Sequence, residues 1–533
     1  MNLSDTMRRI PLLVERLLAA SFVILLVRVL YFVLGNSAIE WPFEYREFSP
    51  VSFTGALLDG INPYALENVP YFTNVYGPLY NLLVWPWAAL AGNGFQVHRL
   101  VSLFFLGAGS ALLYFGIRRG RGGGALALCA GVVFFLAQTD DLAGLARPDG
   151  LGMFLFLAAL AVLVRSPSAG QITLASGALL VVLAFFTKPY FILAAPIGAA
   201  FLLLRRRPAA LLRYASWGLG WFALFAFAAY QLWPTSFIET LYLMANSRDD
   251  FHSWTHLQEQ MNVFIRGNLL LLLAVSAAAY RGLAAHGHAR AEEETDGVAA
   301  DIRAIGLIGL VAGSAALALL LGTHTGNGQL YYTQLILPFL LLLVPPTAQG
   351  SRVGRALALL AFAHALVIRH DFTVVKIGGA EWLAACPPCA ALKMMSPYQY
   401  GSPVFDVGEE NRRSMAQVRE LIAGASGEVF GGPESSALLK AMQGRYYDNG
   451  SSEFCVFGIG GEEPLLRAYG ERCRSHWEVI QQRLRKGDFA RVLLTLDSQY
   501  LPMLRGRYRL RARYPLQLGY TRKELGVFEP ILR

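Results

Sequence analysis

The ionisable side chains of this sequence gather in a few short stretches between long apolar runs. The first stretch, 37–96, holds Glu40, Glu44, Glu47, Asp59 and Glu67, with Asn62-Pro63-Tyr64 and Tyr76-Gly77-Pro78-Leu79-Tyr80 among them. A carboxylate just outside an apolar helix suits a general base acting on a hydroxyl at a membrane surface. The alternative is a loop in water that simply carries acids. The second stretch runs from Gln138 through Asp140, Asp141, Arg147 and Asp149 to Gly150. Acids and an arginine in so short a turn are costly between apolar spans unless they face water, a cation or one another. Asp140 and Asp141 offer partial ligation for a divalent metal, while Arg147 and Asp149 have a structural ion pair as their alternative. Lys188, in Phe186-Thr187-Lys188-Pro189-Tyr190, is placed either to bind phosphate or to snorkel from a helix end. His324 lies among Gly322, Thr323, Gly326 and Gly328, small neighbours that admit a ligand to the backbone; a bland loop histidine is the other reading.

These stretches need elements to hold them, and the composition says which kind. Of 533 residues, 55% are hydrophobic and 16% charged, with mean hydropathy +0.41. An ordinary soluble domain carries about 25% charged residues. A single soluble enzyme is therefore excluded, and so is a disordered scaffold, which would be polar. Apolar segments near 11–36, 97–117, 125–138, 150–164, 171–187, 190–204, 210–232, 267–280, 304–322, 331–346 and 354–369 predict an α-helical polytopic membrane protein with about eleven transmembrane helices. The run 76–91 is broken by Pro78 and Pro86 and reads as interfacial or re-entrant, not spanning. With the N-terminus inside, roughly sixteen arginines fall in cytoplasmic positions against seven basic residues outside, a clear positive-inside bias. The net charge of +9 is thus topological and calls for no nucleic acid. The first segment is too long for a secretory signal and reads as an anchor. All the polar stretches above then lie on the exterior side.

Two domains are expected: a transmembrane part, 1–370, with a large first exterior loop at 37–96, and an exterior soluble α/β domain, 371–533. In the latter, 427–430, 453–457 and 491–496 read as strands, and 411–424, 433–443 and 463–485 as helices. Cys386, Cys389, Cys455 and Cys473 fall here, where disulfides are plausible and a zinc site would need converging pairs. Arg505, Arg507, Arg509, Arg511 and Arg513 alternate and would share one face of a strand. That face would either grip anionic headgroups or protect an edge. No glycine-rich nucleotide loop, His-Glu-x-x-His motif or nucleophile elbow occurs.

Taken together, these residues resemble the GT-C class of polytopic glycosyltransferases, near the protein O-mannosyltransferases and other polyprenyl-phosphate-sugar enzymes (family 39- or 87-like). The resemblance lies in Glu47, then Gly60-Ile61-Asn62-Pro63-Tyr64, then Tyr76-Gly77-Pro78-Leu79-Tyr80. It continues through His98-Arg99-Leu100, Ala146-Arg147-Pro148-Asp149, Phe186-Thr187-Lys188 and the stretch from His324 to Phe339. It implies inverting transfer of a sugar from a polyprenyl-phosphate donor to an acceptor hydroxyl of a glycan, lipid or protein, on the outer face of a bacterial inner membrane. It assigns the general base to Glu47, then Glu44, and the donor phosphate to Arg147, Lys188 and His324. Asp149, Asp140, Asp141, Tyr64 and Tyr76 support them. No cofactor is expected, with a divalent metal held open. Where family members commonly carry an Asp or paired acids, Arg46 precedes Glu47 here. A lipid-linked-sugar flippase or an O-antigen ligase is the competing reading; a flippase would want ionisable residues near the membrane midplane.

Overall fold

The computed structural model describes residues 47–69, 76–119, 123–140, 145–165, 170–238, 268–277, 297–323, 334–347, 357–364, 409–432, 463–498, 500–518 and 521–531. It also describes scattered positions within 13–42, 71–74 and 435–442, and at 258 and 265. Helices dominate. After helical positions in the first apolar segment come α1 (Phe48–Leu58), α2 (Leu79–Ala91), α3 (Phe95–Arg119), α4 (Gly124–Asp140), α5 (Asp149–Arg165) and α6 (Gln171–Thr187). Then follow α7 (Ala194–Leu204), α8 (Pro208–Leu232), α9 (Gly297–Thr323) and α10 (Leu337–Thr347).

Three helices among the described residues are long and apolar enough to cross a membrane: α3, α8 and the Gly297–Ala316 part of α9. At 1.5 Å per residue, the 25 residues of α3 reach about 37 Å, more than the roughly 30 Å of hydrocarbon. Only 6% of the apolar window of α8 is buried, and Leu219 and Phe227 are mostly exposed. Such a surface is stable in lipid and not in water. The other apolar helices are shorter, and part of the expected set of about eleven spans lies outside the described residues. The run 76–91 holds one correction. Pro86 sits inside a continuous helix, α2, instead of breaking it. At 13 residues, about 20 Å, α2 is still too short to span.

The helical core forms where α3, α4, α5 and α6 pack on one another and α9 and α10 close the side. Phe156 of α5 touches Phe191 and Phe339, with ring centroids 5.9 Å apart in each case. This packing sends the N-termini of α3 and α5 and the C-terminus of α6 to the same end of the bundle. Arg118, Arg119 and Arg165 close α3 and α5 at the opposite end.

Residues 409–432 and 463–530 build a small α/β unit. It contains α11 (Glu409–Ala423), β1 (Val429–Gly431), α12 (Pro464–Lys486), β2 (Arg491–Thr495), β3 (Tyr508–Leu518) and β4 (Thr521–Pro530). The sheet order is β1-β2-β4-β3, with β1 and β2 parallel and the other pairs antiparallel. Local sequence explains α12: the Glu463 carboxylate caps Leu466 N–H, Pro464 opens the helix, and Gly487 ends it in a left-handed conformation. The expected strand at 453–457 lies outside the described residues. The alternating arginines do not share one face. Arg505 and Arg507 precede β3, and a register shift between Leu510 and Ala512 interrupts the alternation. β3 is an edge strand, and Arg511 and Arg513 pair with Glu529 and Glu524 of β4.

The unit leans on the first loop. Tyr469 and Cys473 of α12 bury against Val69 and Ile238, Tyr71 meets the His476 ring at 4.9 Å, and Lys440 reaches Asp59 at 2.6 Å. Cys473 is disulfide-bonded; its partner lies outside the described residues, and Cys129 is a free, buried thiol.

Candidate active site

Arg147 sits in the short connection ahead of α5, and the chain on both sides of it is tied down. The Ala146 N–H donates to Glu47 Oε1 at 2.7 Å, and the Ser102 hydroxyl of α3 donates to the Arg147 carbonyl at 2.9 Å. Ser102 is itself in contact with the Tyr80 hydroxyl of α2, 3.0 Å away. With its backbone fixed, the Arg147 side chain is aimed: Nε lies 3.1 Å from Asp149 Oδ2, and Nη2 donates to the Tyr76 hydroxyl at 3.1 Å.

Asp149 is the first residue of α5, where the helix dipole favours a carboxylate. Its Oδ1 accepts from Lys188 Nζ at 2.6 Å, from Gln334 Nε2 at 2.9 Å and from the Tyr190 hydroxyl at 3.3 Å. Lys188 follows the end of α6 in extended backbone. Its ammonium lies between two aromatic faces, 4.9 Å from the Tyr76 centroid and 5.0 Å from that of Tyr190. Both cations and the carboxylate are almost wholly buried. Taking such ions out of water costs several kcal/mol each, which their mutual pairing here offsets.

Tyr76 reaches this cluster because its loop touches the end of α6. Gly77 N–H donates to Thr187 O at 3.3 Å, and a Cβ at Gly77 would lie 1.8 Å from the Phe186 carbonyl oxygen. Only glycine allows that approach.

Beside the cluster stands a second buried ion pair. Glu47 immediately precedes α1, its side chain making no capping hydrogen bond to the helix, and both of its oxygens accept from Arg99 of α3, Nε to Oε1 and Nη2 to Oε2, each at 2.9 Å. Arg99 also donates to Ile39 O at 2.7 Å and lies over the Phe95 ring. The pair therefore joins the end of the first apolar segment, α1, α3 and the Arg147 connection.

Of the residues singled out in the sequence, Tyr76, Arg147, Asp149 and Lys188 share one cluster, and Glu47 is bonded to the residue next to Arg147. Tyr64 packs elsewhere, in a buried group with Phe53, Ala56 and Phe72; its carbonyl accepts from Thr235. Glu44, Asp141, His324 and the side chain of Asp140 lie outside the described residues. Among the described residues no three His, Cys, Asp or Glu side chains converge as metal ligands. Sequence reasoning missed Gln334 and Tyr190 as partners of Asp149, and Arg99 as the partner of Glu47. The available signal was a polar group inside an apolar run.

No protein-family model and no curated protein matches this sequence. Among solved structures, the chain is similar to ArnT from Cupriavidus metallidurans in the apo state. That match has a TM-score of 0.53 and 14% identity, and covers 95% of this chain and 98% of that one. ArnT bound to undecaprenyl phosphate matches with a TM-score of 0.47 and 15% identity over the same shares. The Archaeoglobus fulgidus oligosaccharyltransferase, in complex with Zn and sulfate, gives a TM-score of 0.38 and 12% identity, covering 93% of this chain and 72% of that one. The chain thus shares the fold of ArnT.

Proposed function

We propose that this protein is a membrane glycosyltransferase that moves a sugar from a polyprenyl-phosphate donor to an acceptor hydroxyl. The observation that carries the reading is the convergence of Arg147 and Lys188, from separate helix ends, on one buried site with Tyr76 and Asp149. In a single displacement the acceptor oxygen bonds to the anomeric carbon while the bond from that carbon to the phosphate oxygen breaks. The configuration inverts. Charge then builds on the departing lipid phosphate, and preorganised cations in a poorly solvated pocket stabilise it. Arg147 and Lys188 fill that role, with His324 as a third candidate. Asp149 orients both cations, and Tyr76 offers a ring and a hydroxyl beside them. ArnT, which shares the fold, has been crystallised with undecaprenyl phosphate, a ligand of this class.

The acceptor proton goes to a carboxylate of the first loop. Glu47 has both oxygens engaged by Arg99 and one also by Ala146, so its geometry supports a positioning role. The base in this reading is Glu44. The site and the α/β unit face the exterior of a bacterial inner membrane, in keeping with the basic residues at the far ends of α3 and α5 and with a disulfide at Cys473. The acceptor is a glycan, lipid or protein hydroxyl, and no step is placed on a metal.

The test is to incubate purified protein with labelled polyprenyl-phosphate sugars and an envelope extract as acceptor. Transfer that is lost in Lys188→Met supports the reading. Absence of both binding and transfer across the panel overturns it.

A further inference from the structure

The helices that hold the cation cluster form a second feature at their other ends. Between the C-terminal halves of α3 and α5, the first turns of α9 and the start of α10 lies a groove of about 600 Å³, a size typical of small-molecule sites. Leu160, Ile302, Ile305 and Phe339 form buried walls, and Phe115 and Val298 stand exposed at the mouth. A single charged residue, Arg119, lines one end. Arg119 lies 20 residues beyond Arg99 on α3, about 30 Å, which matches the thickness of the hydrocarbon layer. It therefore stands at the opposite membrane surface from the cluster. The nearby acid of α9, Asp301, is already paired with Arg205.

We infer that this groove binds one anionic diacyl phospholipid of that leaflet, an acyl chain lying along the apolar walls and the phosphate resting on Arg119. The charge at headgroup depth and the uncharged walls below it select this occupant. A polyprenyl donor has its phosphate at the other surface and does not match the arrangement. The site is separate from the transfer reaction, so its failure would leave the proposed function standing.

Native mass spectrometry of the detergent-purified protein, titrated with phosphatidylglycerol or phosphatidylcholine, tests the inference. Phosphatidylglycerol should bind in preference, and Arg119→Gln, an exposed position that folding tolerates, should weaken that preference about fivefold. Gly116→Leu should fill the groove and remove binding of both lipids. Equal binding of the two lipids, unchanged by Arg119→Gln, overturns the inference. So does competition in which undecaprenyl phosphate displaces phosphatidylglycerol, since the groove would then belong to the donor chain.

Discussion

Glu47 and Arg99 form a two-point ion pair with both side chains out of contact with solvent. One oxygen of that carboxylate also holds the backbone beside Arg147. The pair therefore helps fix where Arg147 points, although neither partner lies in the Asp149 cluster itself. Removing one member strands the other as an uncompensated buried charge.

From this, Glu47→Met and Arg99→Met should each destabilise the protein by about 3–5 kcal/mol, whereas the Glu47→Met/Arg99→Met double variant should cost less than the two singles added. Thermal unfolding in detergent measures it. Additive losses would mean that the two side chains do not act as a pair.

Glu44→Gln should lower the transfer rate by about 10²–10⁴-fold, the range for loss of a general base. Turnover with labelled donor reads the outcome. Full activity in this variant would return the base to Glu47.

Asp149→Asn and Lys188→Met should separate structure from binding. Asp149 answers two buried cations, so its neutralisation should cost about 3–5 kcal/mol of stability. In Lys188→Met the carboxylate keeps Arg147, and the expected change is weaker donor binding with a smaller stability loss. Equal effects of both variants on melting and on donor affinity would contradict the assignment.

Gly77→Ala and Gly60→Ala make a matched test of backbone contact. Gly60 has φ +73° and open space around its absent Cβ, so alanine there should cost about 1 kcal/mol of backbone strain. At Gly77 the added carbon meets the Phe186 carbonyl, which cannot swing aside. That variant should be far more destabilised and inactive, by melting and turnover assays.

Tyr469→Ala should loosen the first loop, because Tyr469 is fully buried against Val69 and Ile238. A loss of about 3–5 kcal/mol is expected for a buried aromatic, with faster hydrogen exchange over 62–72. Lys440→Ala should change little, since a half-exposed ion pair contributes about 0–1 kcal/mol. Unaltered exchange in Tyr469→Ala would show that α12 does not support the loop.

The amino-acid sequence was sufficient to mark Arg147, Asp149 and Lys188, because an ion between apolar runs is costly and stands out without any structure. It also placed α12, whose capping residues are local. It did not reveal that Lys188 meets Asp149 across 39 positions, or that Gln334 meets it across 185. Nor did it show that Arg99 takes both oxygens of Glu47. Such pairings depend on which helix ends the packed bundle brings to one side. Packing is set by side-chain shape over the whole core, and no local spacing encodes it. For the same reason the alternating arginines read as one strand face, until a register shift set by pairing with β4 showed otherwise. Residue types and their membrane order belong to the chain itself; the distances that turn them into a site arise only when the helices pack.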